Sequence, residues 1–467
     1  MTERPSLEWV RDFLCPAGMA KVLIIGLAIR LAVAPWTSYP YDVYPFYSAS
    51  VDMLAGLGMY GHATFSYPPG FGLILYPFML LLSLFVDPSM FGSFQPEILE
   101  MGAVSDLVSP FITAPAFNLA FKLPMIIGDV LAASMLFLMV REWKGEGAAR
   151  SAYALLFLNP LVIWIGSVMG QFDILAALCT LVAVHLFIHQ RYALAGLALG
   201  AGALIKIYPA YLAVFFLAYI LLAAGTALKD RVSSAARLVA GTLAAAIPAV
   251  PLLLATPEMI DFVFRRASND AFGGINPWFL VPLIGNFTSS SGTSTGAENF
   301  FQTPMFLMLV GLVLAVIASV VMARSDRLPR EGIVAGSLLV LMIALMFRSI
   351  TNPQHLLWVL PFMLLFSFSD KRMRVPAFML TASGLLFFLA LRTYAVFLYP
   401  LAVYTPLVSV GQLNSIVFAY FSGGNLVPTL LLALSSIMGV VAVAQAVITI
   451  TGLPSGWFRK WLWGAGE

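Results

Sequence analysis

Apolar runs close to the length that crosses a bilayer recur from one end of this 467-residue chain to the other, which leaves it few ways to fold. A hydrocarbon core of about 30 Å takes about 20 helical residues to span. Such runs lie near residues 19–36, 69–86, 119–140, 150–168, 172–189, 192–205, 207–224, 238–255, 303–323, 332–347, 354–369, 375–395 and 427–452. Composition agrees: 61% of residues are hydrophobic, 10% are charged and the mean hydropathy is +0.93, whereas a soluble domain carries about 25% charged residues. The expected fold class is therefore an all-α polytopic membrane protein forming a single unit over 1–467. Lys plus Arg exceed Asp plus Glu by only 25 to 22, which excludes a polybasic nucleic-acid binder. Two cysteines, Cys15 and Cys179, imply neither a disulfide framework nor a zinc site.

The N-terminal stretch is too polar and too mixed in charge for a signal peptide, so the first run reads as a retained helix. Basic residues occupy alternate connectors: Arg141, Lys144 and Arg150; Arg191; Lys229, Arg231 and Arg237; Arg324, Arg327 and Arg330; Lys371, Arg372 and Arg374. That alternation marks cytoplasmic loops and puts the 453–467 tail, with Arg459 and Lys460, on the same side. Connectors 37–68, 87–118, 257–302 and 396–426 should then face outside or the lumen and hold nearly all the non-helical sequence. A full crossing at 69–86 would break the alternation, so this run, which starts at Tyr67-Pro68-Pro69-Gly70, reads as re-entrant or paired with a second short segment. The expected count is about 12 crossings.

A charge at the centre of a membrane helix costs about 2.5–3.5 kcal/mol on the insertion scale, so each one asks for a reason. The candidates gather on the external side. Asp42 is enclosed by Tyr39, Tyr41, Tyr44, Phe46 and Tyr47; Asp52, Tyr60, His62 and Tyr67 follow. Lys122 and Asp129 enter a later run, and Gln171, Asp173, Lys206 and Tyr208 stand at predicted helix ends. Arg265 and Arg266 precede a Gly- and Asn-rich loop, and Arg348, Gln354 and His355 sit at a further external turn. The structural alternatives are that Lys206 snorkels and that Asp129 and Asp173 pair with Lys122 and Arg348.

These motifs, in this order, resemble the GT-C superfamily of polyprenyl-phosphate-sugar-dependent glycosyltransferases, most closely the catalytic subunit of GPI mannosyltransferase I and its prokaryotic relatives. Asp42-Val43-Tyr44-Pro45-Phe46 and Tyr60 to Pro69 match its first-loop pattern, and Lys122 with Asp129 matches a Lys seven residues before an intramembrane Asp. Asn159-Pro160-Leu161 leads to Gly170-Gln171-Phe172-Asp173, Lys206-Ile207-Tyr208-Pro209 leads to Tyr211, and Gln354, Leu357 and Trp358 match Gln-x-x-Leu-Trp. The family's first-loop Asp-x-Asp is Pro40-x-Asp42 here, and a lysine of the last motif gives way to Ser349 beside Arg348.

The resemblance implies a GT-C fold and inverting transfer of a sugar, with mannose expected, from a polyprenyl (dolichyl) phosphate donor to a lipid-linked or glycan acceptor, in glycolipid biosynthesis at a prokaryotic plasma membrane or an endoplasmic reticulum membrane. Such a transfer needs a base for the acceptor hydroxyl and cations for the departing phosphate. Asp42 is the expected base, and Lys206, Arg348, His355 and Arg265 the expected phosphate ligands. Tyr44, His62, Tyr67, Gln171, Asp173, Tyr208 and Gln354 are candidates for the sugar and acceptor. The loop 257–302, with Gly273-Gly274, is a candidate lid. A divalent cation stays open, one Asp being a poor site for it, and a secondary transporter or lipid flippase is the competing class.

Overall fold

The computed structural model describes residues 7–61, 65–94, 110–222, 227–260, 273–279, 304–324, 329–391, 394–421 and 426–452. The described chain is helical almost throughout. Its first half comprises α1 (Leu7–Leu14), α2 (Ala20–Val33), α3 (Pro40–Leu54), α4 (Gly70–Ser83), α5 (Pro115–Lys144), α6 (Glu146–Phe157), α7 (Pro160–Ile163), α8 (Asp173–Ile188), α9 (Tyr192–Ile205) and α10 (Ala210–Leu221). Then come α11 (Leu228–Ala245), α12 (Val250–Ala255), α13 (Pro304–Ala323), α14 (Pro329–Met346), α15 (Leu360–Phe366), α16 (Arg374–Leu391), α17 (Tyr399–Tyr404), α18 (Val410–Phe421) and α19 (Leu426–Thr451). Two short ladders join connectors: β1 (Ser93–Phe94) runs antiparallel to β2 (Phe111–Ile112), and β3 (Gly273–Gly274) runs parallel to β4 (Ile350–Thr351).

Among the described residues, five helical stretches are long and apolar enough to cross a membrane: 115–144, 228–255, 306–323, 371–390 and 426–451. Glu146–Phe157 and Pro160–Met169, bent by 42°, would make a sixth. The remaining apolar helices are shorter, including α4, α8, α9 and α10. α4 has 14 residues, or about 21 Å at 1.5 Å per residue, well short of a hydrocarbon core. The architecture is an all-α, multi-pass membrane protein.

One connector expected to be loop, 37–68, contains the 15-residue helix α3. Tyr39 is extended, Pro40 takes the first helical position, where its missing N–H costs nothing, and Asp42 lies in the first turn, where the helix dipole favours a carboxylate, its amide donating to the Tyr39 carbonyl at 3.2 Å. Tyr39, Val43, Phe46 and Ser50 are all buried and recur at helical spacing, which is why 40–54 coils against the bundle. Connector 396–426 likewise contains α17 and α18.

The intramembrane charges pair differently from the sequence expectation. Asp129 does not meet Lys122. Its partner is Arg30 of α2, whose Nε donates to Asp129 Oδ2 at 2.7 Å, both side chains being fully buried. Arg30 also donates to the Gly26 and Phe157 carbonyls at 3.1 and 2.8 Å and lies 4.2 Å from the centre of the Phe157 ring. A side chain at Gly26 would collide with that ring, which tightens the α2–α6 contact. Lys122 instead caps three backbone ends: its Nζ reaches the carbonyls of Ala34, Thr37 and Val168 at 3.0, 2.6 and 3.1 Å and the Thr37 hydroxyl at 2.9 Å. A lysine ammonium has three donors, enough for the three carbonyls it reaches. The chain entering α3 is thereby fixed five residues before Asp42.

Candidate active site

Asp42 is buried at the start of α3, and one turn on, Phe46 is the hub of an aromatic floor. The Phe46 ring lies 5.2 Å from Tyr67, 5.0 Å from Phe71, 5.7 Å from Phe121 and 5.3 Å from Phe172. Phe71 and Phe172 stack face to face at 4.3 Å. Residues four apart on a helix share a face, so Asp42 projects beside this floor. Gly170 makes the approach possible. Its φ of +85° is in the left-handed region, and a Cβ there would stand 2.8 Å from the Phe121 ring and 3.4 Å from Val43. It ends the π-turn Trp164–Met169 and directs Phe172 and Asp173 inward.

Over the floor stands Lys206, with its Nζ 4.8 Å from the centre of the Phe172 ring and 6.0 Å from that of Tyr67. α9 stops at Ile205 because Lys206 turns extended, with φ −148° and ψ 141°, and Pro209 then precedes α10. Lys206 donates to Asp173 Oδ2 at 2.6 Å, and Trp358 Nε1 donates to Asp173 Oδ1 at 2.9 Å. Asp173, expected at the sugar, thus has both oxygens engaged in holding the lysine and the indole. Tyr208 stacks on Trp358 at 4.1 Å, the Arg348 guanidinium lies 4.9 Å from the Trp358 ring centre on the exposed side, and the His355 ring is 4.9 Å away. Arg348 therefore does not pair with Asp173. His355 accepts the Asn352 amide on Nδ1 at 3.1 Å, closing a capping box on the 3-10 turn Pro353–Trp358.

The structure thus brings Tyr67, Asp173, Lys206, Tyr208, Arg348 and His355 around one aromatic surface, with Asp42 one helical turn before Phe46. Gln171 and Gln354 are buried nearby in sequence. Among the described residues, both polar atoms of the Gln171 side chain and Gln354 Oε1 have no hydrogen-bond partner. Buried amides in that state are what a hydroxyl-rich ligand would satisfy. Tyr44 is turned away: it is half-buried and stacks on Tyr47 at 6.0 Å, outside the floor. Asn159, read as part of a motif, is an N-cap that accepts from Leu161 and Val162 and donates to Thr381. His62 and Arg265 lie outside the described residues, as does most of 257–302. Gly273 and Gly274 are anchored: β3 pairs with β4, Asn276 donates to the Arg348 carbonyl at 2.8 Å, and Ser436 donates to Gly274.

Sequence reasoning missed Arg30, and it noted Trp358 only as a motif letter. A charge inside the first apolar run was signal enough for the former. Asp52, on the same helix as Asp42, is ten residues further along, or about 15 Å of helical rise.

The family model for glycosyltransferase family 87 matches residues 105–349, a little over half of the chain. The chain belongs to glycosyltransferase family 87. This family-87 chain is accordingly a glycosyltransferase, which decides between the enzyme and transporter readings in favour of the enzyme. Among solved structures it is similar to ArnT from Cupriavidus metallidurans in the apo state, at 14% identity and a TM-score of 0.38, over 95% of this chain and 79% of that one. The same protein bound to undecaprenyl phosphate matches at 15% identity and a TM-score of 0.38, over 95% and 80%. No curated protein matches the chain.

Proposed function

We propose that this family-87 chain moves a sugar, mannose being our reading, from a polyprenyl-phosphate donor to a lipid-linked or glycan acceptor, with inversion, at the external or luminal face of a membrane crossed about 12 times. The observation that most supports this is a buried carboxylate, Asp42, one helical turn before Phe46, whose ring packs on the same Phe172 that carries Lys206. In this reading Asp42 takes the proton of the acceptor hydroxyl as its oxygen attacks the anomeric carbon. The bond from that carbon to the phosphate oxygen breaks with its electron pair, and polyprenyl phosphate leaves with its charge held by the cations. Direct displacement suits the geometry, because a covalent glycosyl-enzyme needs two carboxyl groups about 5–5.5 Å apart, and the rise between Asp42 and Asp52 is about 15 Å.

Lys206 is bonded to Asp173 and Arg348 stands over Trp358, and in this reading both cations face the phosphate. Arg348→Gln should raise the KM for donor about 10-fold or more, as for loss of a charge-assisted contact, and leave the KM for acceptor nearly unchanged. Lys206→Gln should do the same and also destabilise the protein, since it strands Asp173. Equal loss for both substrates would remove the two residues from the phosphate site. Transfer of radiolabel from polyprenyl-phosphate mannose in proteoliposomes tests the reaction itself. Transfer only from nucleotide sugars would overturn the donor class.

The face is tested separately. A cysteine introduced by Ser291→Cys, outside the described residues, should react with an impermeant thiol reagent from outside sealed, oriented cells. Labelling only from the cytoplasm would reverse the topology.

A further inference from the structure

At the end of α8 remote from Asp173, a second cluster has the composition of a metal site. Glu142, His185 and His189 offer one ligand atom each, all within 4.8 Å of one another. His189 Nε2 lies 3.1 Å from Glu142 Oε2, His185 Nε2 lies 4.0 Å from Glu142 Oε1, and the two rings are 4.5 Å apart. The histidines are four residues apart where α8 ends, so they share one face, and Glu142 comes from the last turn of α5 packed alongside. Glu142 and His189 are exposed and His185 is half-buried, so an ion reaches them from water. His185 and His189 stand 12 and 16 residues beyond Asp173, about 18 and 24 Å along the helix. This end of the bundle carries Arg141, Lys144 and Arg191.

We propose that Glu142, His185 and His189 bind one borderline divalent transition ion, of which Zn2+ is the probe, and so tie α5 to α8. Two imidazoles and one carboxylate are a three-ligand set that leaves a fourth, tetrahedral position to water. At metal–ligand bonds of about 2.0–2.1 Å the ligand atoms stand roughly 3.3 Å apart. Closing the observed separations therefore takes side-chain shifts of at most about 1.5 Å, which groups on a partly open surface can make. Nitrogen donors disfavour Mg2+ and Ca2+, and affinity should rise from Mn2+ through Co2+ and Ni2+ to Cu2+.

The test uses full-length, tag-free protein in lipid nanodiscs, titrated with Zn2+ against a chromophoric chelator. Wild type should take up one equivalent saturably, and the double variant His185→Ala, His189→Ala should bind at least 10-fold more weakly, about 1.4 kcal/mol or more, with sugar transfer unchanged. One equivalent bound equally by that variant, or no saturable uptake by wild type, overturns the site. Should the variant fail to fold, the wild type alone decides: Co2+ should give visible ligand-field bands of a low-coordinate site that Zn2+ removes, and their absence overturns the proposal.

Discussion

Asp42→Asn lowers turnover by about 100-fold or more while leaving helix α3 and donor binding intact. General-base contributions run from about 10²- to 10⁴-fold, and Asn matches Asp in size, giving up about 0.3–1 kcal/mol of attraction between a carboxylate and the helix start. The substitution removes the capacity to take a proton, at a buried position one helical turn before Phe46. Donor affinity is measured on the same preparation, so a folding defect would show as lost binding and a missing base as lost turnover alone. Near-normal turnover with intact binding removes Asp42 from the chemistry.

The largest effect on stability is expected at Arg30. Arg30→Met leaves Asp129 as a buried carboxylate whose Oδ1 already has no hydrogen-bond partner among the described residues. Breaking a buried ion pair from one side costs about 3–5 kcal/mol, a large fraction of the roughly 5–15 kcal/mol by which folded proteins are stable. Most of that loss should be recovered in the double variant Arg30→Met, Asp129→Leu, since no charge is then left in the interior. Thermal unfolding in detergent, followed by a fluorescence probe and by yield of monodisperse protein, checks both variants. If the single variant melts with wild type, water or another group solvates Asp129 and the pair is not what holds α2 to α5.

Much of the helical layout was legible because apolar run length maps directly onto helix length. The runs at 119–140, 192–205, 303–323 and 427–452 coincide closely with Pro115–Lys144, Tyr192–Ile205, Pro304–Ala323 and Leu426–Thr451. Helix α3 was not, because its aromatic and acidic residues read as a connector, although Pro40 and the buried set Tyr39, Val43, Phe46 and Ser50 carry the helical period. Pairings were least legible. Asp129 and Lys122 are seven residues apart on one helix, yet the actual partner of Asp129 lies 99 residues earlier. Nothing local distinguishes the two arrangements, since each chain segment only says that a charge is buried and not what it meets. The motif around Asp173 marked a polar residue at a helix end, but its contact with Trp358, 185 residues later, exists only in the assembled bundle.

That long-range contact bears on how the chain is made. Asp173 and Lys206 are 33 residues apart at the ends of neighbouring helices, so they can neutralise each other as soon as α8 and α9 have left the translocon together. Trp358 is synthesised 152 residues after Lys206, about 8–30 s later at roughly 5–20 residues per second. During that interval the ion pair lacks the indole that anchors its other oxygen and the ring that carries Arg348. Nascent chains released before Trp358 would hold a charge-balanced hairpin in the bilayer without a working transfer site, and protease sensitivity of staged translation intermediates should fall sharply only once that tryptophan has been inserted.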